Sequence, residues 1–501
     1  MNTDLILSID QSTSATKAML FDHSANILHR CNREHRQHYP KPGWIEHDAE
    51  EIYRNALEVI RGVLAESGTE SGRIEALAIT NQRETALVWD RKTGTPLYNA
   101  VAWQCQRGAP ECRFLREQGH EEMVKAKTGL VLDPYFSASK IKWILDNVEG
   151  ARSKAEDGRL LLGTIDSWLV WKLTGGKVHA TDYSNACRTL LFNINDLSWD
   201  TEIMDLFDIP SSLLPDVKCS DETFGATTCQ GIFNRPVPIS GVMGDSHASL
   251  FGQHCISAGL AKSTIGTGSS IMMHIGDRAF ESGQGLVTSI AWGRRGKAEY
   301  VFEGNVHCTG DTIKWLVDGL ELIPEVARSE TLALSVPDNA GIYLVPAFAG
   351  LGAPYWDNEA RASIVGMARN ASKAHVVRAA CESISYQTRD LLDIMIRESG
   401  IELKELRIDG GAARNRFIMQ FQADMLNVPV VRGTIDEASS LGAAFMAGLS
   451  TGFWANTDEL AAINPSQQTF SPRMSQELRE DFYRGWKEAV RRTLSTAEAS
   501  D

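Results

Sequence analysis

The sequence predicts an α/β protein with two lobes, each carrying a turn rich in glycine or hydroxyl side chains. Its 501 residues are enough for two or three domains, at roughly 100–200 residues each. The composition, 43% hydrophobic and 23% charged residues, is that of a globular protein. Strand-like and helix-like segments alternate along the chain, which favours an α/β architecture.

The first predicted elements are a β-hairpin, a helix and a strand. Apolar residues alternate at Leu5, Leu7 and Ile9, a hydroxyl-rich stretch follows over 10–17, and apolar residues resume after it, which is typical of a hairpin. Apolar residues then recur at helical spacing over 50–64. Residues 74–80 have the pattern of a strand that leads into Asn81-Gln82-Arg83-Glu84.

Two later segments place glycines directly after predicted strands. Residues 266–270 follow a strand-like run over 260–265, and residues 409–415 precede a helical face that begins at Phe417. Glycines between a strand and a helix N-terminus are well placed to bind an anion or a nucleotide phosphate. We therefore expect 10–17 and 266–270 to be the phosphate turns of two related lobes.

Charge and hydropathy exclude several classes of protein. The formal net charge of -14 argues against a nucleic-acid-binding surface, because neutralising phosphates takes clustered Lys and Arg. No window approaches the roughly 18 apolar residues of a membrane span, and the N-terminus lacks the basic region of a signal peptide. The nine cysteines include no CxxC pair, so we expect them to be reduced. The sequence predicts a cytoplasmic protein without nucleic-acid partners or membrane insertion.

Several familiar catalytic motifs are missing from the sequence. The nearest approach to a Walker A loop, Gly175-Gly176-Lys177-Val178, lacks the final hydroxyl residue. The catalytic-loop and DFG strings of protein kinases do not occur, and residues 34–38 do not form a zinc-binding H-E-x-x-H helix.

The remaining candidates are acids beside glycine- and hydroxyl-rich turns. Phosphoryl transfer needs an acid that holds Mg²⁺, backbone donors for the phosphates, and a base near the acceptor hydroxyl. Asp10 with the turn after it suits the first two roles, and Asp245 suits the third. Either aspartate alone is also typical of a turn or a helix N-cap, so it is the combination that predicts a kinase.

Long segments of the sequence resemble the FGGY carbohydrate kinases, and among them those that act on glycerol. The matching segments are IDQST (9–13), YPKPGWIEHD (39–48), ITNQRET (79–85), NAVAWQC (99–105), TGLVLDPYFSASKIKWILD (128–146), TDYSNACRTLLFNI (181–194), VPAFAGLGAPYWD (345–357) and IDGGAARNRFIMQFQADML (408–426). The resemblance implies two ribonuclease-H-like, actin-type domains with a catalytic cleft between them. Residues 1–252 would bind the polyol and residues 253–501 the nucleotide.

The same resemblance implies an ATP-dependent kinase that phosphorylates a terminal hydroxyl of a small polyol, with glycerol converted to sn-glycerol 3-phosphate. Asp245 would be the general base, and Asp10 would act through Mg²⁺. The acceptor would contact Arg83, Glu84, Trp103, Tyr135, Asp245, Ser246 and Ser270. The nucleotide would contact Thr13, Ser14, Lys17, Thr267, Gly310, Lys314, Gly411 and Asn415. The resemblance is compatible with assembly as a homodimer or a homotetramer.

The sequence departs from the family pattern at the acceptor pocket. Ser246 stands where an amide is typical, Ser270 replaces an aromatic side chain, and Asn305 and His307 lie in a segment that is usually apolar. A larger and more polar pocket would suit a four- or five-carbon polyol or ketose such as erythritol, threitol, a pentitol or a ketopentose.

Two other classes of function are weaker alternatives. Gly244-Asp245-Ser246 resembles the nucleophile block of some esterases, but no Asp-x-x-His follows at the expected C-terminal place. A non-catalytic, actin-like nucleotide-binding protein would have no use for an acceptor site, which counts against that interpretation.

Overall fold

The computed structural model describes residues 4–433, 437–463 and 468–495. The strands up to residue 252 are Leu5–Gln11 (β1), Ala15–Phe21 (β2), Ile27–Glu34 (β3), Gln37–His38 (β4), Glu46–His47 (β5), Ile74–Asn81 (β6), Ala86–Asp90 (β7), Ala100–Val101 (β8), Leu160–Thr164 (β9), Ala180–Asp182 (β10), Phe192–Asn193 (β11), Ser198–Trp199 (β12), Asp216–Lys218 (β13), Thr223–Thr227 (β14) and Val237–Gly244 (β15). The later strands are Leu260–Ile265 (β16), Ser269–Gly276 (β17), Val287–Arg294 (β18), Lys297–Val306 (β19), Tyr343–Val345 (β20), Ser363–Val365 (β21), Glu405–Asp409 (β22), Val430–Arg432 (β23) and Gln468–Phe470 (β24).

Helices lie between these strands throughout the chain. They are Ala49–Ser67 (α1), Ala109–Glu117 (α2), Glu121–Thr128 (α3), Ser137–Asn147 (α4), Ala151–Glu156 (α5), Ile165–Leu173 (α6), Tyr183–Ala186 (α7), Thr201–Leu206 (α8), Asp245–Gly252 (α9), Gly310–Asp318 (α10), Arg328–Leu334 (α11), Lys373–Ser399 (α12), Arg416–Leu426 (α13), Ala438–Thr451 (α14), Thr457–Ile463 (α15) and Gln476–Thr493 (α16). Among the described residues, no helix is both long enough and apolar enough to cross a membrane.

Two large sheets repeat one topology, which confirms the predicted fold class. The first has the strand order β14-β15-β6-β1-β2-β3, and the second has the order β18-β19-β17-β16-β22-β23-β24. In the first sheet, β1, β2 and β3 are antiparallel neighbours, and β6 and β15 lie on the other side of β1 and parallel to it. In the second sheet, β16, β17 and β19 are the antiparallel neighbours, and β22 and β23 lie on the other side of β16 and parallel to it. We call the halves built on these sheets the first and second lobes.

The predicted hairpin forms the centre of the first sheet. Strand β1 is buried along its whole length, as expected for a strand covered on both faces. Its register with β2 places Lys17 directly opposite Asp10. The helix predicted over 50–64 is α1, which begins after Asp48, whose carboxylate accepts from the Glu50 and Glu51 backbone N–H groups at 2.8 and 3.2 Å.

Helix α14 connects the two halves of the chain, because it lies late in the sequence but packs on the first sheet. It contacts α9 and strands β1, β6 and β15, and Leu441 and Phe445 share a hydrophobic cluster with Ile6 and Met243. At the crossing of α14 with α9, a Cβ on Gly442 would lie 1.8 Å from the Ala248 carbonyl oxygen. Only glycine permits this approach, which sets the position of α9 and of Asp245 at its start.

Candidate active site

A cavity of about 700 Å³ lies between the lobes and contains the predicted acid and base. We call it the cleft cavity. From the first half of the chain it is lined by Asp10, Asp245, Ser246 and Ser249. From the second half it is lined by Lys262, Thr264, Ser270, Asp409, Gly410, Gly411, Ala413, Arg414, Arg432, Gly433, Glu437, Ala438 and Ser439.

An adjoining cavity of about 570 Å³ lies within the second lobe. Five residues predicted at the nucleotide line it: Thr267, Gly310, Lys314, Gly411 and Asn415. Apolar side chains, among them Ile313 and Ile418, form part of the wall, which is suited to the face of a nucleotide base. Because Gly411 and Arg414 line both cavities, the two are contiguous.

One face of the second sheet, the floor of the cleft, carries two rows of side chains, of which Asp409, Thr264, Ser270 and Lys262 line the cavity. Residues paired across neighbouring strands present their side chains on the same face of a sheet. The outer row is Asp409, Thr264, Ser270 and Asn305. The inner row, two residues further from the turn at 266–268, is Arg407, Lys262, Met272 and Glu303.

Arg83 and Glu84 belong to a buried ring of four charges. Arg83 donates to the Glu303 carboxylate through Nη1 at 3.0 Å and Nη2 at 2.8 Å. Arg188 donates to Glu84 at 2.6 Å and to Glu303 at 3.0 Å. Because Glu303 lies in the second lobe and the other three members in the first, the ring joins the lobes beside the cleft.

The ring sets the charge states of its members. Burial raises the pKa of Glu303, but Arg188 and Arg83 outweigh it and leave that pKa well below its usual range. Burial raises the pKa of Glu84, and the same two arginines offset only part of the rise. The two carboxylates in the ring are therefore not equivalent. Glu84 also has a positive φ of 61°, a conformation rare for side chains of its type.

The remaining predicted acceptor residues lie around this ring. Arg83 Nε is 3.4 Å from Asp245 Oδ1, so the ring adjoins the predicted base. The rings of Trp103 and Tyr135 meet edge to face with centroids 5.3 Å apart. Trp103 also donates from Nε1 to the Thr13 hydroxyl at 3.0 Å, which links the aromatic pair to the turn predicted to hold phosphates.

Electrostatics around Asp10 are consistent with the binding of a cation. Burial raises the pKa of Asp10, Lys17 lowers it, and the nearby carboxylates of Asp245 and Glu437 raise it again, to about 7. Among the described residues there is no group of three or more side chains that could hold a metal ion. Mg²⁺ does not need one, since it is commonly held by one or two carboxylates together with substrate phosphates. The oxygen donor of Asp10 fits that arrangement.

Two residues predicted at the phosphates are placed differently from the others. Lys17 is not free, because its Nζ contacts the carboxylate of Glu437, directly before α14, at 2.8 Å. Ser14 is exposed, and its backbone oxygen accepts from the His35 N–H at 3.1 Å.

Of the residues that depart from the family pattern at the acceptor pocket, some line the cleft cavity and others do not. Ser246 and Ser270 line the cleft cavity, and Asn305 is paired with Ser270 on the neighbouring strand. His307 is exposed. A Cβ on Gly352 would lie 3.1 Å from the His307 ring, and His307 does not line the cleft cavity. The Ser246 hydroxyl has the Asp245 carboxylate as its partner at 3.4 Å, which is not the histidine that an esterase would need.

Sequence reasoning missed three charged residues near the base: Arg188, Lys262 and Glu303. Lys262 and Glu303 carried a recognisable signal, because each directly follows apolar residues, in Leu260-Ala261-Lys262 and Val301-Phe302-Glu303. An ionised side chain is seldom buried without a specific partner or function.

Two family models match the chain. The N-terminal domain of the FGGY family of carbohydrate kinases matches residues 5–252, and the C-terminal domain of that family matches residues 261–451. The chain belongs to the FGGY family of carbohydrate kinases. The FGGY assignment makes it an ATP-dependent carbohydrate kinase, and it rejects the esterase and the non-catalytic scaffold as alternatives.

Individual FGGY proteins resemble the chain over nearly its whole length. Glycerol kinase of Carboxydothermus hydrogenoformans is 54% identical, with 98% of both chains covered, and glycerol kinase 1 of Thermotoga maritima is 53% identical, with 98% of this chain and 99% of that one covered. The crystal structure of Plasmodium falciparum glycerol kinase with ADP superimposes with a TM-score of 0.93 at 36% identity and covers 98% of both chains. A xylulose kinase from Lactobacillus acidophilus, at 20% identity and a TM-score of 0.87 with 99% of both chains covered, shares the fold.

Proposed function

We propose that the protein transfers the γ-phosphoryl group of ATP to a terminal hydroxyl of glycerol and forms sn-glycerol 3-phosphate. The observation that carries the proposal is the placement of Asp245. Its carboxylate lines the cleft cavity, adjoins Arg83 at 3.4 Å, and faces a space contiguous with the cavity of the predicted nucleotide residues. The names of the relatives at 51–54% identity support glycerol as the acceptor.

In this proposal Asp245 is the general base. Its Oδ1 accepts from the Ser246 backbone N–H at 2.6 Å and faces Arg83, which fixes the orientation of the carboxylate. The other oxygen, Oδ2, has no hydrogen-bond donor among the described residues. It is therefore available to accept the proton of the acceptor hydroxyl as the oxygen–phosphorus bond forms.

The acceptor is held by the charge ring and the aromatic pair. Arg83 offers donors and Glu84 an acceptor to adjacent hydroxyl groups, while Trp103 and Tyr135 cover the carbon face. Because Arg83 and Glu84 are held by Glu303 and Arg188 before the acceptor enters, little reorganisation is needed on binding.

The nucleotide is proposed to bind in the adjoining cavity, with its phosphates directed past Gly411 into the cleft cavity. Thr13, Ser14 and Lys17 would meet the phosphates from the first lobe. When bound, Mg²⁺ neutralises charge on the phosphate oxygens. Asp10 is the residue that would hold it. We also propose the division at 252/253 between a polyol-binding and a nucleotide-binding domain, and a cytoplasmic location.

A second candidate acceptor is a four- or five-carbon polyol or ketose. The observation that favours it is that Ser246 and Ser270 both line the cleft cavity, where two short hydroxyl side chains leave room for a further hydroxyl-bearing carbon.

A coupled assay of ADP release across acceptors separates the two candidates. The panel is glycerol, dihydroxyacetone, erythritol, threitol, the pentitols and the ketopentoses. A kcat/KM for glycerol more than about tenfold above that of every longer acceptor supports the first candidate, whereas a longer acceptor within about tenfold of glycerol, a gap of roughly 1.4 kcal/mol, supports the second. The double variant Ser246→Gln with Ser270→Phe should then shift the preference towards glycerol. No acceptor-dependent release of ADP with any member of the panel would refute both.

A further inference from the structure

Lys262 is a buried lysine in the inner row of the cleft floor. It lies in the middle of β16, is 2% exposed, and lines the cleft cavity together with Asp245. Its Nζ donates to the Thr264 hydroxyl at 3.1 Å. No carboxylate oxygen of the described residues lies within 4 Å of it. Burial lowers the pKa of Lys262, against the opposing effect of Asp409. The buried surroundings therefore disfavour the protonated, positively charged form of the side chain.

The other cations beside the cavity are either paired with a carboxylate or exposed to solvent. Lys17 is paired with Glu437, and Arg83 is paired with Glu303 through two hydrogen bonds. Arg414 and Arg432 also line the cavity, but Arg414 is exposed and Arg432 is partly exposed. Among the described cations that line or adjoin the cleft cavity, Lys262 is thus the buried one without an anionic partner.

Lys262 lies beside the path that a phosphoryl group takes from the nucleotide to the acceptor. The acceptor oxygen must be next to Asp245, and the nucleotide enters from the adjoining cavity past Gly411, which lines both cavities. Lys262 lines the same cavity, two residue pairs further from the turn at 266–268 than Thr264 and Ser270. The anion that would offset its buried charge is therefore the γ-phosphoryl group itself.

We propose that Lys262 is a catalytic residue whose ammonium group donates a hydrogen bond to a non-bridging oxygen of the γ-phosphoryl group during transfer. The proposal rests on the proposed function. In the step, the acceptor oxygen forms a bond to the γ-phosphorus and the hydroxyl proton passes to Asp245. The bond from the γ-phosphorus to the bridging oxygen breaks, and that oxygen leaves as part of ADP. Lys262 keeps its protons and stabilises the charge on the equatorial oxygens.

Two other roles for Lys262 predict different results. If it only supports Thr264 and the strand, its loss lowers thermal stability and ADP affinity together with activity. If it binds the acceptor, its loss raises the KM for glycerol and leaves the slow hydrolysis of ATP by water unchanged. Acting on the phosphoryl group, it is needed for transfer to glycerol and to water alike.

The test compares Lys262→Met and Lys262→Arg with the wild type, and uses Lys297→Met, an exposed lysine on β19 of the same sheet, as the control. For each protein, glycerol-dependent turnover, ATP hydrolysis without acceptor, MgADP affinity and Tm are measured. In Lys262→Met we expect kcat and acceptor-free hydrolysis both to fall by about 100-fold or more. MgADP affinity and the KM for glycerol should stay within about threefold, and Lys262→Arg should recover at least about tenfold of the loss.

The proposal is overturned if Lys262→Met keeps kcat within about threefold of the wild type, or loses turnover with glycerol but not acceptor-free hydrolysis. If Lys262→Met does not fold, Lys262→Gln, which keeps a donor for Thr264, is held to the same expectations. A wild type that hydrolyses ATP but does not phosphorylate glycerol contradicts the proposed acceptor only. The hydrolysis rates then still decide the role of Lys262.

Discussion

Replacing Glu303 with Gln should weaken both the contact between the lobes and the use of the acceptor. Glu303 accepts three hydrogen bonds from two buried guanidinium groups, two from Arg83 and one from Arg188, at 2.8–3.0 Å. A glutamine of the same shape has one oxygen and one NH₂ group. The NH₂ group cannot accept, and it places a donor against a cation.

The size of the effect follows from the charges in the ring. Two arginines and two glutamates are neutral together, and Glu303→Gln leaves a net charge of +1 in a buried place. Removing one partner of a buried ion pair costs about 3–5 kcal/mol. Part of this cost should appear as lower stability. A part of about 2 kcal/mol at Arg83, whose Nε adjoins Asp245, would lower kcat/KM for the acceptor by about 30-fold.

The assay is kcat/KM for glycerol together with MgADP affinity and thermal unfolding. The matched control is Glu405→Gln on the same sheet, since Glu405 also pairs with an arginine at 2.7 Å but is partly exposed and does not join the lobes. The control should change stability by no more than about 1 kcal/mol and leave kcat/KM unchanged. If Glu303→Gln keeps kcat/KM within about threefold of the wild type, the ring does not position the acceptor residues.

Three further predictions concern the phosphate side of the cleft and the stability of the fold. Glu437→Gln should free Lys17 and tighten ADP measured without Mg²⁺ by about fivefold, since the pair is partly exposed; unchanged affinity in isothermal titration would separate Lys17 from the phosphates. Asp10→Asn should raise the Mg²⁺ concentration needed for half-maximal turnover by about tenfold or more; an unchanged Mg²⁺ titration contradicts the role of Asp10. Burial lowers the pKa of His179 to about 4. As pH falls from about 6.5 towards 4, the unfolded chain therefore binds a proton at this residue that the folded chain does not bind. The free energy of unfolding falls by about 3 kcal/mol for this residue. His179→Phe should reduce that loss in a Tm-against-pH series, and equal slopes would contradict it.

Local patterns predicted the elements that hold the candidate site. The alternation at Leu5, Leu7 and Ile9 and the hydroxyl-rich turn after it predicted the hairpin of β1 and β2, because such periodicity is typical of a strand. The same holds for 260–265 and the turn at 266–268, and for the glycines that precede α13. In each case the signal lies within about ten residues of chain.

Contacts between distant parts of the chain could not be predicted in this way. Arg83 and Glu303 are 220 positions apart, and Lys17 and Glu437 are 420 apart. Nothing in the local sequence of α14 indicates that it returns to the first sheet, since its apolar residues would suit either lobe. Such pairings depend on how segments distant in the chain meet in the fold, and a single sequence carries no record of that.

Replacing Asp245 with Asn removes the carboxylate proposed to take the acceptor proton and keeps the size of the side chain. The measurement is kcat for glycerol-dependent ADP formation, with MgADP affinity determined on the same preparations. Asp245→Asn should lower kcat by about 10²–10⁴-fold and leave MgADP affinity within about threefold of the wild type. A variant that keeps near-normal kcat would contradict the proposed role of Asp245, because another group would then have to accept the proton in the cleft between the lobes.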